Sequence, residues 1–182
     1  MPDWDDREII EGIKIPDKQE IAFNHLVNKY QERLYWHIRK IVIGHDDADD
    51  VLQNTMIKIW RSLPDFRSDS KLYTWLYRIA TNESLTFLKQ KKRRSLISWT
   101  DVEHMLSEEL ESDAHINGDE IQMKLQKAIL KLPQKQKLVF NMKYFDEMKY
   151  EDMSKILKTS VGALKASYHH AVKKIESMLE ED

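Results

Sequence analysis

A long acidic stretch divides this chain into two blocks, each with apolar residues at helical spacing. Residues 95–120 contain eight Asp or Glu and no Lys or Arg, whereas residues 1–94 and 121–182 each carry a net positive charge. Gly and Pro number only four each, which disfavours a sheet-rich fold with many tight turns. We therefore predict an all-α protein of two small helical domains, at 1–94 and 119–182, joined by an acidic linker at 95–118.

The acidic linker is only weakly periodic, apart from a short helix that the apolar spacing predicts near Val102 to Leu110. A run of like charges is usually solvated, so one interpretation is an exposed acidic loop. An acidic segment also suits a positively charged groove of a partner. The sequence leaves both interpretations open.

Residues 1–94 are predicted to form a bundle of three or four helices. The first helix covers about 17–42 and ends at Gly44, because glycine tolerates the left-handed conformation that closes a helix. The second begins at HDDADD, whose carboxylates suit a helix N-terminus, and stops at Pro64. The third covers about 71–91. The apolar stripe of the first helix consists of Leu26, Tyr30, Leu34, Ile38 and Ile41.

Residues 119–182 are predicted to form four helical segments, and the last two have the proportions of a helix-turn-helix. Pro133 suits the start of the second segment, and Ser160 suits the N-cap of the last. That last helix has a polar and basic outer face, as a helix that reads the DNA major groove does. An amphipathic hairpin in a protein core would show the same apolar steps. The outward-facing residues are Lys165, His169, His170, Lys173 and Lys174.

The central segment PDFRSDSKLYTWLYRIATNESLTFLKQKKRR combines aromatic, amide and basic side chains. Aromatic rings stack on unpaired bases and basic groups follow the phosphates, so this composition favours contact with single-stranded nucleic acid. The polar residues of the loop RSDSK are suited to line a pocket that binds a base flipped out of the DNA stack. Some of the rings are expected to belong to the core instead. Five of the six residues from Lys89 to Arg94 are positively charged, which favours a phosphate contact.

The chemistry of an enzyme is missing from the sequence. There is no Cys, the four Gly are too dispersed for a phosphate-binding loop, and no nucleophile has a base at a recognisable spacing. His169 and His170 are adjacent, so their side chains diverge on a helix and chelate a metal poorly. The cluster HDDADD lacks the Gly and distal Glu of a calcium loop and is interpreted as a helix start and a protein contact. We expect no enzymatic activity, no cofactor and no metal site.

No apolar run approaches the about 18 residues that a membrane span needs, and the acidic N-terminus lacks the pattern of a signal peptide. We therefore expect a cytoplasmic protein without direct membrane insertion. Because no long heptad seam is present, the free protein is expected to be a monomer.

Three motifs resemble, in this order, the two domains of an extracytoplasmic-function (ECF) sigma factor, the smallest kind in the sigma-70 family of bacterial transcription initiation factors. The motifs are DADDVLQNTMIKIWRSL, YTWLYRIATNESLTFLKQKKRR and LPQKQKLVFNMKYFDEMKYEDMSKILKTSVGALKASYHHAVKKI. The resemblance covers about Phe23 to Leu179, except for the acidic linker. It implies a protein that binds core RNA polymerase, directs it to specific promoters and promotes local DNA melting. It also implies an anti-sigma partner and a path for the linker through the positively charged RNA-exit region of the polymerase.

The resemblance assigns three groups of residues to three interfaces. The core-polymerase contact would consist of Asp50, Gln53, Asn54, Ile57 and Trp60. The contact with the melted non-template strand of the −10 element would consist of Ser68, Asp69, Ser70, Lys71, Tyr73, Trp75, Arg78, Asn82, Lys91, Lys92, Arg93 and Arg94. The contact with the −35 duplex would consist of Ser160, Val161, Ala163, Lys165, Ala166, Ser167, His169, His170, Lys173 and Lys174.

Two parts of the sequence depart from the family pattern. Many relatives have an acidic residue where this chain has Asn54, which predicts a weaker or rebuilt polymerase contact. The usual recognition helix has a Lys-Ser-Arg core followed by further arginines, whereas this chain reads KASYHH from Lys165 to His170. Because Arg is best suited to bidentate guanine recognition, we expect an altered base preference or greater reliance on backbone and shape contacts.

Two other classes of protein remain as alternatives. A dimeric helix-turn-helix regulator would bind duplex DNA without a sigma role, but it needs an exposed apolar seam and palindromic half-sites. A pure protein-interaction module is disfavoured by the aromatic and basic loop and by the helix-turn-helix pattern.

Overall fold

The computed structural model describes residues 3–96, 98–114 and 118–181, and the long regular elements in these ranges are all α-helices. This part of the chain confirms the all-α prediction. Short 3₁₀ turns lie at Pro16–Lys18 and Leu63–Asp65. The helices are α1 (Asp6–Ile13), α2 (Gln19–Val42), α3 (His45–Ser62), α4 (Leu72–Ser95), α5 (Trp99–Glu111), α6 (Glu120–Leu130), α7 (Gln134–Tyr144), α8 (Tyr150–Leu157) and α9 (Val161–Glu180).

Helices α1 to α4 form the N-terminal bundle, where three or four helices were predicted: α2, α3 and α4 correspond to the three that the sequence places, and α1 is the fourth. α2 lies at its centre and packs against each of the other three helices. The whole predicted stripe of α2 is buried, because residues at steps of three and four share the face that points to the core. That stripe consists of Leu26, Tyr30, Leu34, Ile38 and Ile41.

The spacing of apolar residues does not predict α1. A helix of eight residues is too short to show a helical repeat of apolar positions clearly. Its N-terminus nevertheless has a local sequence pattern. The Glu8 N–H donates to the Asp5 side chain, and the Asp5 N–H donates to the Glu8 side chain, which forms a capping box. Ile9 and Ile13 then pack into the bundle core.

The turn between α2 and α3 differs from the prediction that Gly44 closes the first helix in a left-handed conformation. The positive φ, 67°, falls on the buried Ile43, whereas Gly44 has φ −60° and is the N-cap of α3. A Cβ on Gly44 would lie 3.0 Å from Glu109 Oε2. The backbone angles of Gly44 are therefore open to other residues, and a side chain there would need the flexible ends of Glu109 and Asp47 to shift slightly.

Helices α6 to α9 form the C-terminal unit, with the four segments that the sequence predicts. Pro133 is the N-cap of α7. α8, a short turn and α9 form the helix-turn-helix, in which Lys158 has a left-handed φ of 50°. Ser160 caps α9 as predicted, since its side chain accepts a hydrogen bond from the Ala163 N–H at 3.2 Å. The buried positions of α9 are Leu164, Ala171 and Ile175.

α5 confirms the short helix that was predicted near Val102 to Leu110, and this part of the acidic region is packed and is not a solvated loop. α5 buries its apolar residues Val102, Leu106 and Leu110 in one apolar core that extends into both helical units. The two units are therefore packed together, with α5 across their junction. None of the helices in the described ranges is long and apolar enough to cross a membrane.

Candidate nucleic-acid and protein interfaces

The outer face of α3 forms a groove, called the α3 groove below, with a volume of about 800 Å³. Ile57 and Trp60 line it and remain 44% and 41% exposed, although both are large apolar side chains. Phe23 supports the groove from α2, and its ring meets the Trp60 ring edge to face at 4.9 Å between centroids. An exposed apolar patch with polar groups around it is suited to a protein partner. The residues assigned to core polymerase are all exposed here: Asp50, Gln53, Asn54, Ile57 and Trp60.

The polar loop at 67–71, called the strand loop below, leads directly into α4. Ser68 has a left-handed φ of 60°, and Lys71 is the N-cap of α4. Ser68 and Asp69 are exposed, and Ser70 is half-buried. A short exposed loop beside a helix start that carries aromatic rings is a suitable place for an unstacked base.

Four aromatic rings surround the start of α4, and the structure divides them between core and surface. Phe66 and Tyr77 are buried, and burial raises the pKa of Tyr77 to about 12. Tyr73 and Trp75 are half-buried. Tyr73 packs on Tyr77 at 4.6 Å and Trp75 packs on Phe66 at 5.0 Å between ring centroids. Of these four rings, Tyr73 and Trp75 are the two with ring surface left for stacking on a base.

Trp75 continues into a short polar row along α4. Arg78 and Asn82 follow it at steps of three and four, which places the three side chains on one face of the helix. Arg78 is half-buried and Asn82 is exposed. This row has a ring for a base, a cation for a phosphate and an amide that both donates and accepts.

α8 of the C-terminal unit packs directly on α4, and the strand loop and Tyr73 lie near this contact. Asp152 of α8 is 8% exposed and pairs with Lys71 at 3.6 Å. Burial raises the pKa of the Tyr73 hydroxyl, and the nearby charges of Tyr77, Asp146 and Asp152 raise it further. The strand loop and Tyr73 therefore lie next to the C-terminal unit on one side, although the Lys71 side chain stays largely exposed.

The basic end of α4 is not one continuous exposed cluster. Lys91 is half-buried and donates to Asp47 and Glu109, each at 2.7 Å. Burial lowers the pKa of Lys91, but these two hydrogen bonds outweigh burial and the net shift is upward. Arg93 and Arg94 are exposed, and Lys92 is half-buried. The structure therefore places Lys91 towards α5 and the two arginines towards solvent.

α9 presents an open face with basic and small residues. The rings of His169 and His170 lie 6.0 Å apart between centroids and are tilted by 60°. Val161 and Ser167 are half-buried, while Ala163 and Ala166 are exposed and allow a close approach to base edges. The other assigned residues on the face are exposed: Ser160, Lys165, His169, His170, Lys173 and Lys174.

A buried polar cluster joins the two units, and sequence reasoning does not find it. In this cluster, called the Asp146 cluster below, His37 Nδ1 lies 3.0 Å from one carboxylate oxygen of Asp146, and Lys40 donates to the other. His37 Nε2 lies 2.8 Å from Thr81 Oγ1. Burial opposes the charge of Asp146, but the hydrogen bond and charge of His37, together with Lys40, hold the pKa of Asp146 below its usual range. No local pattern could link His37 to Asp146, because they are 109 positions apart.

The described residues thus form a helical DNA-binding protein of the helix-turn-helix class, with a second aromatic surface and an apolar docking groove on its other unit. Within 3–96, 98–114 and 118–181, no three His, Cys, Asp or Glu side chains are placed to hold a metal ion.

Comparison with known proteins identifies the family. Residues 26–94 match Sigma-70 region 2, and residues 122–175 match Sigma-70, region 4. The RNA polymerase sigma-H factor of Pseudomonas aeruginosa is 31% identical over 183 residues, which cover 96% of this chain and 94% of that protein. The ECF RNA polymerase sigma-E factor of Escherichia coli is 29% identical over 185 residues, with the same two coverages.

Two solved structures have a similar fold. CnrH, in complex with the cytosolic domain of CnrY, has a TM-score of 0.72 and 22% identity, and the match covers 97% of this chain and 98% of that chain. The sigma factor RpoE of Bartonella quintana, in complex with the anti-sigma factor NepR, has a TM-score of 0.67 and 22% identity, with coverages of 88% and 98%. This chain therefore belongs to the ECF sigma factors of the sigma-70 family, and its role is that of a transcription initiation factor.

Proposed function

We propose that this protein binds core RNA polymerase, directs it to specific promoters and favours local melting of the DNA. The observation that carries the proposal is the division of surfaces within one chain. The exposed face of α9 suits duplex DNA, while the strand loop and α4 carry rings that suit unpaired bases. A protein with both surfaces binds the closed duplex and the melted strand through different residues.

The α3 groove is the proposed docking site for core polymerase. Ile57 and Trp60 give it apolar contact area, and Gln53 lines it with a polar group. Asp50 and Asn54 are exposed on the same helix outside the groove lining and are proposed to extend the contact. Aromatic anchors surrounded by polar residues are typical of the central part of a protein interface. Asn54 lacks the carboxylate of many relatives, so the apolar part of the groove is proposed to carry more of the contact.

The strand loop and α4 are proposed to hold the non-template strand of the −10 element. A base extruded beside Ser68, Asp69, Ser70 and Lys71 would find ring surface on Tyr73 and Trp75. Such a base is bound only when the duplex is open, so its binding energy shifts the equilibrium towards the open state. Contacts to the continuing phosphates are assigned to Arg78, Asn82, Lys91, Lys92, Arg93 and Arg94.

α9 is proposed to read the −35 duplex in the major groove. Lys165, Lys173 and Lys174 supply positive charge for phosphates, which makes the binding sensitive to salt. α9 carries His169 and His170 and no arginine, so a base preference different from that of an arginine-rich recognition helix is proposed.

The chain acts, on this proposal, by binding and not by catalysing a reaction. Its place of action would be the cytoplasm, where the polymerase is. Residues 1–94 are proposed to bind polymerase and the melted strand, residues 119–182 to bind the −35 duplex, and residues 95–118 to connect them. Because the two similar structures contain the partners NepR and CnrY, an anti-sigma partner is proposed for this chain as well.

The test is transcription with sigma-free core polymerase, the purified protein and a fragmented genomic library, followed by sequencing of transcript starts. We expect discrete starts that need the protein and share two spaced upstream motifs. A matched pair of variants tests the docking site: Ile57→Asp in the α3 groove should abolish these starts, whereas Ile121→Asp on α6, which is 79% exposed, should not. No new starts, combined with tight binding to palindromic duplex DNA, would favour the dimeric regulator instead.

A further inference from the structure

A cavity lies between α5 and the start of α7, and it is called the Lys137 cavity below. α5 lines it with Val102 and Leu106, and the start of α7 lines it with Pro133 and Lys137. Its volume of about 390 Å³ falls within the range of small-molecule sites, roughly 300–1,000 Å³. The residues that line it belong to none of the three groups assigned to polymerase, melted strand and duplex, so those surfaces leave this cavity unexplained.

The inner wall of the Lys137 cavity is aliphatic. Its buried side chains come from α2, α4, α5 and the turn before α7, and each is at most 5% exposed: Ile41, Leu88, Val102, Leu106 and Leu132. The wall includes no aromatic ring on which a flat ligand would stack. It offers a ligand the burial of apolar surface, which is not directional. A flexible alkyl chain fits such a wall better than a base or another aromatic group.

Lys137 places a cation against this aliphatic wall. It is half-buried, and among the described residues its ammonium group has neither a hydrogen bond nor an ion pair. Burial lowers the pKa of Lys137, and the charge of Glu103 offsets this only in part. Lys91, by contrast, donates to two carboxylates. An ammonium group that has lost water without gaining a partner is stabilised by an anion that accepts its hydrogen bond.

The other polar groups that line the cavity set the charge and the size of a matching ligand. Lys131 is exposed, and Glu103 and Gln134 are half-buried. The two lysines and one carboxylate leave the lining with a net positive charge, which favours an anion with a single charge. If each heavy atom takes about 30 Å³, the share of one molecule in liquid water, about 390 Å³ holds about 13 heavy atoms. A carboxylate of about ten carbons has this size.

We propose that the Lys137 cavity is a binding site for a free medium-chain carboxylate, with the alkyl chain against the aliphatic wall and the carboxylate on the Lys137 ammonium group. The wall supplies affinity that grows with chain length, and Lys137 supplies the preference for an anionic head group. This inference goes beyond the proposed function and does not depend on it, because no polymerase or DNA contact enters the argument.

The alkyl part of the site is tested by titration calorimetry of the full chain with hexanoate, octanoate and decanoate, each below the concentration at which it forms micelles. Every buried methylene group should raise the affinity about fourfold, so decanoate should bind about 16-fold more tightly than octanoate. The heat capacity change on binding should be negative, since apolar surface is buried. No binding of decanoate, or an affinity that does not change with chain length, would overturn the proposal.

The head-group contact is tested with Lys137→Met, which keeps an unbranched side chain in the cavity and removes its charge. Decanoate should bind this variant about tenfold more weakly or worse, as expected for a lost hydrogen bond between charged groups. The uncharged analogue 1-decanol should bind the variant as well as it binds the wild type.

Lys135→Met is the matched control, because Lys135 is exposed on the same helix and does not line the cavity. It should leave the affinity for decanoate unchanged. Glu103→Gln gives a second, opposite readout, since removal of this like charge should tighten decanoate binding. Equal decanoate affinity in the wild type and Lys137→Met, or an equal loss in Lys135→Met, would overturn the proposed site, as would weaker binding to Glu103→Gln.

Discussion

α4 and α9 are the two helices proposed to contact DNA, and they differ in how much of the molecule covers them. α4 has eight buried residues among its 24, whereas α9 has three among its 20. α4 lies between α2, α3 and α8, while the basic face of α9 is open. A duplex-binding helix can therefore be ready in the free protein, whereas a strand-binding helix also serves as a central element of the core.

This difference matters because a protein that traps unpaired bases would also bind any single-stranded nucleic acid. Stacking on Tyr73 and Trp75 has little sequence preference by itself, whereas the specificity of the open α9 face comes from the groove of duplex DNA.

The largest expected effect is on the free energy of unfolding, and it tests how much the burial of α4 in the core contributes to stability. Leu76 is 0% exposed in the core shared by both units, so Leu76→Ala should cost about 2–5 kcal/mol of unfolding free energy. The matched change on α9, Leu179→Ala at a position 41% exposed, should cost less than about 0.5 kcal/mol. Urea unfolding of both variants measures this, and similar costs would remove the distinction between the two helices.

The next effect separates strand binding from duplex binding. Trp75→Ala should weaken promoter opening by about 1–3 kcal/mol, because one stacked base loses its platform. Closed-complex binding should stay unchanged, since α9 makes that contact. Permanganate reactivity of unpaired thymines measures opening, and gel mobility at low temperature measures the closed complex. Equal losses in both assays would contradict a strand-specific role for α4.

A smaller effect tests the open face of α9. Lys173→Ala should lower affinity for the duplex nearly uniformly across sequences and reduce the slope of log affinity against log salt by about 1. Lys14→Ala is the control, because Lys14 is exposed on the N-terminal unit, away from α9. A slope that changes equally in both variants would show that α9 has no specific part in phosphate contact.

The smallest effect concerns pH and the Asp146 cluster. Because the folded state holds the pKa of Asp146 below its usual value of 3.8, this carboxylate stabilises the folded protein at neutral pH. That contribution should be lost as pH falls through the lowered pKa, from about pH 5 downward. Urea unfolding across this range should therefore show a shallower loss of stability for Asp146→Asn than for the wild type. Parallel curves would show that the charge of Asp146 does not stabilise the fold.

The sequence predicts the helices and the family far better than it predicts how the units meet. The stripe from Leu26 to Ile41, the cap at Ser160 and the helix-turn-helix follow local rules, and the structure has them all. The family follows from three motifs in order, and the comparisons confirm it. The positive φ at Ile43 is not predicted, because a β-branched residue rarely adopts this conformation and the neighbouring Gly44 is the residue that the local rules favour for it.

The contacts between units depend on residues far apart in the chain. Lys71 meets Asp152, and His37 meets Asp146, only because the whole molecule has folded. Lys91 illustrates the consequence for site prediction. Its charge and its neighbours predict a DNA contact, yet in this structure it pairs with Asp47 and Glu109.

The most direct test of the contrast between α4 and α9 is permanganate reactivity of a promoter at increasing concentrations of polymerase that carries Trp75→Ala or Lys173→Ala. A lost duplex contact is overcome by mass action, whereas a lost strand contact lowers the open fraction of promoters that are already bound. The predicted result is that Lys173→Ala reaches the wild-type reactivity at saturation and Trp75→Ala stays below it. The same plateau for both variants would contradict this, because α4 would then contribute to binding alone.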